Sequence, residues 1–289
     1  MTEKITIIAE AGVNHNGKIN LAYKLIDIAA SSKADFVKFQ ITNADLITKK
    51  AKKAKYQINQ NKSETQQEMV KKLEMDWETV NPLLMNYAKK RKIKFLTTAF
   101  DINGLNHLKK LKFKSYKVPS GEIINHPYLK HLAGFGSNII MSTGMATMKE
   151  IDDAVSILIN NGTKLKNITL MQCNTAYPTP FNDVNLRAME TMKNTFGTKV
   201  GYSDHTIGIE AAIAAAASDD NIDGIAVGGC VGLANETILK RGTTGYNDIP
   251  SLLKWFDQDV MISLISPRPC IIVAGISDHI WPYKFNLNQ

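Results

Sequence analysis

Lysine, carboxylate and hydroxyl side chains recur where short apolar segments of this 289-residue chain end. Ammonium groups together with hydroxyl and amide donors can replace the hydration shell that a small phosphorylated anion loses on binding. The pattern therefore predicts a pocket for a phosphate-bearing substrate. The residues concerned are Glu10, Lys38, Gln40, Thr98, Lys117, Ser120, Glu122, Ser142, Thr175, Ser203, Asp204 and His205.

Two of these carboxylates and the histidine are candidates for proton transfer. Glu10 and Glu122 are expected to orient or deprotonate a water or a hydroxyl group, because a carboxylate beside lysines in a concave site is placed for such work. His205 can act as a base or as a metal ligand, or it can simply be hydrogen-bonded beside Asp204. The sequence leaves these roles open.

The segments that must position these residues alternate between two patterns. Short runs rich in β-branched and apolar residues are each followed by a segment in which apolar residues return every three or four positions. This alternation predicts a parallel sheet covered by helices. The eight predicted strands are residues 5–9, 36–40, 94–98, 115–119, 138–142, 168–173, 199–203 and 222–228.

Chain length and strand number together favour one architecture. A (β/α)8 barrel typically has about 250 residues. We therefore expect an α/β fold, formed by a single TIM-type (β/α)8 barrel domain over residues 1–259. Chemistry in such barrels is located at the C-terminal ends of the strands, which is where the polar residues named above lie.

Helices and connecting segments are predicted from periodicity and capping signals. Residues 20–31, 147–160 and 207–218 read as helices, and Thr147 three positions before Glu150 predicts a capping box. The polar insert at 43–68 is expected to be a loop or lid over the barrel mouth.

The C-terminal part is expected to add one helix and a tail to the barrel. The eighth helix is placed at 248–257. The tail at 260–289 is too short for a domain of its own and is expected to pack on the barrel or on a second subunit. Its aromatic residues, such as Trp281 and Phe285, favour a homodimer.

Composition excludes several other classes of protein. The formal charge of +8 comes largely from lysine runs at 49–55 and 89–92, which we assign to solvated helix faces because no nucleic-acid recognition motif accompanies them. No apolar stretch reaches the length of a membrane span.

The chain runs directly into a strand-like segment without a leader, so a cytoplasmic location is expected. Three scattered cysteines, Cys173, Cys230 and Cys270, predict no disulfide framework.

Seven segments resemble, in order and spacing, the barrel domain of the sialic acid synthase family over residues 5–210. They read IIAEAGVNHNG, VKFQ, LTTAFD, YKVPSGEI, IIMSTGM, CNTAYPTP and GYSDHTIGIE. That family includes synthases of N-acetylneuraminic, legionaminic and pseudaminic acids. The resemblance implies a condensation in which C3 of phosphoenolpyruvate attacks the open-chain aldehyde of an N-acyl hexosamine or related aldose. Water then adds at C2 and phosphate leaves, which gives a 3-deoxy-ulosonic acid.

The resemblance also implies roles for individual residues. His205 would supply one of two histidine ligands for a divalent metal, manganese or magnesium. We further expect Thr175 and Asp204 at the substrate site. Phosphoenolpyruvate would be held by Lys38, Thr98, Lys117, Ser120, Ser142 and Ser203, while Glu10, Gln40, Glu122 and Tyr177 would orient the acceptor sugar or the water.

The sequence departs from the family pattern after the eighth strand. Where the family has a Glu-Lys-His-Phe segment with the second metal ligand, the chain reads IAVGGCVG, with Gly228 and Gly229 at that point. The family's C-terminal antifreeze-like domain is not recognisable. We therefore expect a divergent member in which the divalent metal is doubtful, unless Cys230 or Glu236 replaces the missing ligand.

The same departures leave two functions open. The leading hypothesis is a phosphoenolpyruvate-dependent condensing synthase, because the phosphoenolpyruvate side of the pattern is intact. The alternative is a non-catalytic or regulatory barrel that binds phosphoenolpyruvate or a sugar acid within a larger assembly. Two roles remain open for the glycines at 228, 229 and 232. Their amide groups could bind a second phosphate, or the glycines could allow tight packing of the backbone.

Overall fold

A computed structural model describes residues 5–48, 50–53, 57–58, 63–217 and 224–228. Strands and helices alternate along this part of the chain. The strands are β1 (Thr6–Gly12), β2 (Phe36–Gln40), β3 (Lys94–Thr98), β4 (Ser115–Val118), β5 (Asn138–Ser142), β6 (Ile168–Cys173), β7 (Lys199–Asp204) and β8 (Gly224–Gly228). The helices are α1 (Ile19–Ser31), α2 (Gln66–Leu73), α3 (Trp77–Lys90), α4 (Ile102–Lys110), α5 (His126–Ala133), α6 (Met148–Asn160), α7 (Ala188–Phe196) and α8 (Glu210–Ala217).

The strands form a closed parallel barrel in sequence order, in which β1 pairs with both β2 and β8. The register aligns Glu10 with Lys38 across β1 and β2, and Thr98 with Lys117 across β3 and β4. On the other side of β1, Glu10 is aligned with Gly228 of β8. The predicted α/β fold with parallel strands is confirmed.

Two apolar layers hold the strands in place. The interior of the barrel is filled by Ile8, Leu96 and Met171, with Phe36 and Ile140 packed against them. The outer layer lies between the strands and the helices. Burial of each large apolar side chain contributes about 1.5–3 kcal/mol, so both layers together fix the direction in which each strand presents its residues.

Strand alternation then decides which polar residues enter the barrel. Successive side chains of a strand point to opposite faces of the sheet. The strand residues in phase with the interior layer, and closer to the C-terminal ends, are Glu10, Lys38, Gln40, Thr98, Lys117, Ser142, Cys173 and Ser203. The fold therefore gathers them above an apolar floor.

Helix α1 shows how the sequence specifies the outer layer. Its buried residues are Ala22, Leu25, Ile26 and Ala29, a spacing that places them on one face of the helix. That face packs against the first two strands in a cluster that includes Val37. The helical prediction at 20–31 is confirmed within one residue.

Other predicted boundaries agree in part. Helix α6 begins with the predicted capping box, in which Thr147 and Glu150 bond each other's backbone N–H groups. Strand β1 is longer than predicted, because its ladder with β2 continues through an irregularity between Glu10 and Gly12. Helix α8 begins at Glu210 rather than at 207, since Gly208 has a φ of +92°, outside the helical region.

The ends of the predicted insert at 43–68 are anchored to each other. Gln67 Nε2 donates to the carbonyl oxygen of Ala44 at 3.1 Å, and the Ala44 N–H donates to the Glu74 carboxylate. Helix α2 starts at a second capping box, formed by Thr65 and Glu68. The insert is thus closed at its base, and its action as a lid stays a prediction.

The remaining predictions concern the C-terminal part and the membrane. The eighth helix at 248–257 and the tail at 260–289 lie outside the described residues. Within the described ranges, none of the helices is long and apolar enough to cross a bilayer.

Candidate active site

Lys38 lies at the centre of a polar network that joins the first three strands. Its side chain is buried, and its Nζ is 2.6 Å from Glu10 Oε2. The same ammonium donates to Thr98 Oγ1 at 3.1 Å. Gln40 Nε2 donates to the other Glu10 oxygen at 3.2 Å. The structure therefore brings together four of the residues that the sequence assigned to substrate binding or proton transfer.

Lys117 lies on β4, two strands from Lys38, and is equally buried, with 6% of its surface exposed for each of the two lysines. Its Nζ donates to Ser142 Oγ at 2.5 Å and to the Val118 carbonyl oxygen at 2.9 Å. Burial lowers the pKa of Lys117 to about 7, and repulsion by Lys38 acts in the same direction. Both lysines are in phase with the interior layer, and Thr98, which accepts from Lys38, is in register with Lys117, so the two ammonium groups face a common space.

Ser120 and Thr175 surround the backbone of Gly144, next to this space. Ser120 Oγ accepts a hydrogen bond from the Gly144 N–H at 3.1 Å and lies 3.3 Å from Cys173 Sγ. A Cβ atom added to Gly144 would lie 2.8 Å from Ser120 Oγ and 2.8 Å from Thr175 Cγ2. Glycine is thus required at this position by close approach of three strand-end segments.

His205 is held between a carbonyl group and a phenol. Its Nδ1 is 2.5 Å from the carbonyl oxygen of Asn174, so we assign the ring proton to Nδ1. Its Nε2 then accepts from Tyr177 OH at 3.0 Å, and the two rings lie 4.2 Å apart. Burial lowers the pKa of His205, although the Asn174 carbonyl and Asp204 oppose this effect. The ring is therefore predominantly neutral at pH 7.

Asp204 has a different environment from that of the inward-facing residues. It is 1% exposed, and its Oδ1 accepts from Tyr202 OH at 3.1 Å and from the Thr206 N–H at 2.8 Å. Tyr202 belongs to the outer apolar layer, so Asp204 lies on the helix-facing side of β7 while Ser203 is in phase with the interior. These contacts stabilise the end of β7, and the predicted contact of Asp204 with substrate stays a prediction.

Glu122 follows β4 in the short 3-10 turn Ser120–Glu122. Its carboxylate accepts from Asn125 Nδ2 at 2.6 Å, a contact within the same βα loop. Glu122 is therefore placed at the rim beyond the strand, separate from the network around Lys38.

The resemblance implies that His205 would help to hold a divalent ion. Catalytic metal sites generally provide three protein ligands. In the described ranges, no group of three His, Cys, Asp or Glu side chains is arranged to hold a metal ion. Both ring nitrogens of His205 already have partners. These residues do not fit such a site, while Gly229, Cys230 and Glu236 lie outside the described residues.

Cys173 is a site residue that the sequence reasoning did not select. It faces inward from the end of β6, and its pairing with Ser203 and contact with Ser120 place it in the wall of the pocket. The signal that would have found it is its position in phase with Met171 on the same strand. The scattered cysteines of the sequence predict no disulfide framework, and that pattern gives Cys173 no other role.

His15 is a second residue that was not selected. It is fully buried, and its ring contacts Trp77 edge-on at 5.7 Å while its Nδ1 accepts from the Gly17 N–H. Burial lowers the pKa of His15 to about 4, so the ring is neutral at pH 7. It lies in the loop after β1, where its ring packs against Phe39 and Trp77 of the outer apolar layer.

Comparison with known proteins places this geometry in context. The profile of the NeuB family matches residues 25–219. The chain is 51% identical over 231 residues to N,N'-diacetyllegionaminic acid synthase of Campylobacter jejuni, an alignment that covers 79% of this chain and 66% of the relative. The synthase of the same name from Legionella pneumophila is 45% identical over 207 residues, which are 70% of this chain and 58% of that protein. The chain thus spans less than two thirds of the length of these relatives.

Solved structures share the fold. The N-acetylneuraminic acid (sialic acid) synthetase of Leptospira borgpetersenii, in complex with citrate, superimposes with a TM-score of 0.66 at 34% identity, over 78% of this chain and 73% of that chain. The DAHP synthase of Thermotoga maritima has a TM-score of 0.57 at 12% identity, which shows similarity of fold alone.

Proposed function

The chain belongs to the NeuB family, the sialic acid synthase family, and on this premise we propose that it is a phosphoenolpyruvate-dependent condensing synthase. C3 of phosphoenolpyruvate forms a bond to the aldehyde carbon of an open-chain N-acyl hexosamine or related aldose. Water adds at C2, and the bond between C2 and the phosphate oxygen breaks. The products are inorganic phosphate and a 3-deoxy-ulosonic acid of the sialic acid type.

The observation that carries this proposal is the pair of buried lysines at the ends of β2 and β4. A fully buried lysine is rare, because removing an ammonium group from water is costly unless a partner replaces the hydration. Two lysines that face one space, with Thr98 and Ser142 as neighbours, form a pocket that a small polyanion would complete. Phosphoenolpyruvate has both a phosphate and a carboxylate, and so can engage both cations.

Different residues of the pocket would bind phosphoenolpyruvate and activate the water. Lys38 and Lys117 would bind the two anionic groups of phosphoenolpyruvate, with hydroxyl groups from Thr98, Ser142 and Ser203 completing the contacts. Glu10 forms an ion pair with Lys38 and accepts a hydrogen bond from Gln40. A carboxylate held in this way can accept a proton from the water that adds at C2.

The acceptor would occupy the outer part of the site. Tyr177 is half exposed and Glu122 lies at the rim, so both can reach a sugar hydroxyl or amide group. Holding two reactants in register can supply roughly 7 kcal/mol or more of the barrier. Positioning by the pocket is therefore expected to be the larger part of catalysis.

Phosphate release tests the proposal. Phosphoenolpyruvate is incubated with the protein and a panel of N-acyl hexosamines and sugar phosphates, with and without EDTA, and phosphate and product mass are measured. At least one acceptor should release phosphate in a reaction that needs both substrates. Lys38→Met should abolish it, whereas Lys114→Met, at an exposed position just before β4, should not. No release in any mixture would contradict the proposal.

A non-catalytic barrel that binds phosphoenolpyruvate or a sugar acid is the second candidate. It is favoured by Gly228, which provides no side chain level with Glu10, near the point where the family pattern has its second metal ligand. Binding of phosphoenolpyruvate without turnover for any acceptor would favour this function over the synthase.

The proposal also covers the domain organisation and the assembly of the protein. We infer that residues 1–259 form one TIM-type domain and that 260–289 pack on it or on a second subunit, which would give a homodimer. Light scattering after size exclusion measures the assembly, and a monomer at micromolar concentration would contradict the dimer.

A further inference from the structure

The two buried lysines of the pocket differ in how their charges are compensated. Lys38 has a carboxylate partner, Glu10, at 2.6 Å. Among the described residues, the hydrogen bonds of Lys117 go to the neutral oxygens of Ser142 and Val118. In the described part of the chain, no acidic side chain forms an ion pair with Lys117.

Hydrogen-bond geometry indicates what Lys117 does when the pocket holds no anion. A neutral amine has two N–H donors and one lone pair, whereas an ammonium group has three donors. Two acceptors surround Lys117 Nζ, so the neutral amine satisfies both of them. The ammonium form would have a third donor, for which the described residues provide no further acceptor, and a bound anion would supply one.

Charged and titratable groups on the surrounding strands point the same way. Lys38 on β2 repels a charge on Lys117, while Glu10 on β1 and Cys173 on β6 oppose this repulsion. His205 follows β7 and also interacts with Lys117. Thr98 on β3 and Ser142 on β5 carry no charge at neutral pH. Burial is the largest effect, and the pKa of Lys117 is lowered to about 7 in consequence.

We propose that Lys117 takes up a proton from solvent when a phosphorylated carboxylate such as phosphoenolpyruvate enters the pocket, so that anion binding and protonation of this lysine are coupled. The inference rests on the proposed function, because it takes the ligand from it. Glu10 and Lys38 together carry no net charge, so protonation of Lys117 changes the pocket from neutral to cationic. The ligand provides the counter-charge that the protein lacks.

Calorimetry counts the protons. Phosphoenolpyruvate is titrated into the protein at pH 8 in HEPES and in Tris, whose ionisation enthalpies differ, and the difference in observed heat gives the protons taken up. At this pH the phosphate group is fully ionised, since its second pKa is about 6. We expect uptake of about one proton per site, and an affinity that falls about tenfold per pH unit above pH 7.

Two variants separate the role of Lys117 from general effects of charge. Lys117→Arg keeps a fixed positive charge and should bind without proton uptake. Lys114→Met, at an exposed position just before β4 and three residues before Lys117, should behave like the parent protein. Should Lys117→Arg not fold, the 13Cε resonance of Lys117 in the parent protein can be titrated directly with and without phosphoenolpyruvate. It should titrate near pH 7 in the free protein and well above pH 8 in the complex.

The outcomes are distinguishable. Binding of phosphoenolpyruvate at pH 8 without proton uptake overturns the coupling and leaves the proposed function standing. Titration of free Lys117 near pH 10 overturns the coupling whatever the ligand does. No binding of phosphoenolpyruvate at any pH overturns the proposed function and, with it, this inference.

Discussion

The carboxylate of Glu10 lies 2.6 Å from the ammonium group of Lys38, its partner in register on the neighbouring strand. Removing one member of a buried pair leaves the other charge without compensation, which is strongly destabilising. The pair thus makes Lys38 tolerable in the folded protein before any ligand is present.

Glu10→Gln should therefore lower the free energy of unfolding, by about 3–5 kcal/mol. Inorganic phosphate should restore more stability to this variant than to the parent protein, because the anion takes the place of the lost carboxylate. Thermal unfolding at increasing phosphate measures both effects. Asp153→Asn removes a partner from an exposed pair with Lys149 and should change little. An equal response to phosphate in the Glu10 variant and the parent protein would contradict the argument.

Thr98→Val removes the hydroxyl group that accepts from Lys38 and keeps the shape of the side chain. We expect a loss of about 1 kcal/mol of stability and roughly tenfold weaker binding of phosphoenolpyruvate. The control is Thr97→Val, because Thr97 Oγ1 is buried without a partner in the described ranges. That change should be neutral or stabilising, and equal losses of affinity in the two variants would argue against a specific role of Thr98.

Gly144→Ala tests the close packing beside the pocket. The added methyl group would lie 2.8 Å from Ser120 Oγ and from Thr175 Cγ2, so these strand ends must move apart. We expect a loss of about 1–3 kcal/mol of stability and weaker binding of phosphoenolpyruvate. Gly121→Ala is the matched control, since a methyl group there meets nothing within 4 Å. Calorimetry and thermal unfolding of both variants distinguish a local clash from a general effect of lost glycine.

Lys117 should make the stability of the free protein depend on pH. Its pKa is about 7 in the folded chain and 10.5 in the unfolded chain, so the unfolded chain binds more protons between these values. Stability contributed by this group therefore rises with pH across that window, by up to about 1.4 kcal/mol per pH unit. The unfavourable effect of the buried charge is fully present below pH 7.

Lys117→Met removes that titration. Its stability relative to the parent protein should be greatest at pH 6 and should fall steadily toward pH 10, as measured by urea unfolding without added anions. Lys114→Met should show a constant difference over the same range. A constant difference for Lys117→Met as well would mean that the lysine stays charged in the free protein.

Much of the barrel follows from local sequence pattern. Strands β2, β3, β5 and β6 have the predicted bounds, since each is a short apolar run between clear turn signals. The first strand was predicted too short, because Glu10 reads as the start of a loop. Its inclusion depends on pairing with Lys38, a long-range contact that local propensity does not report.

The sequence predicts which strand ends contribute polar residues to the site, but it does not predict which of these residues contact each other. The sequence assigned Ser203 and Asp204 to the same pocket, yet consecutive strand residues point in opposite directions, and Asp204 contacts Tyr202 on the outer side. Glu10 forms its ion pair with Lys38 because the register between β1 and β2 aligns these two residues. Cys173 and Gly144 were missed because neither residue type suggests chemistry, although both lie against Ser120.

The ladder between β1 and β8 sets Gly228 level with Glu10. Around the ring of strand ends, β1 to β5 contribute large charged or hydroxylic side chains at this height, whereas β8 ends in a residue with only hydrogen on its Cα. The described strand ends therefore differ: β1 to β5 present charged or hydroxylic side chains at this level, and Gly228 presents none. Any larger residue in place of Gly228 would set a side chain level with Glu10, so the space beside this carboxylate depends on the glycine.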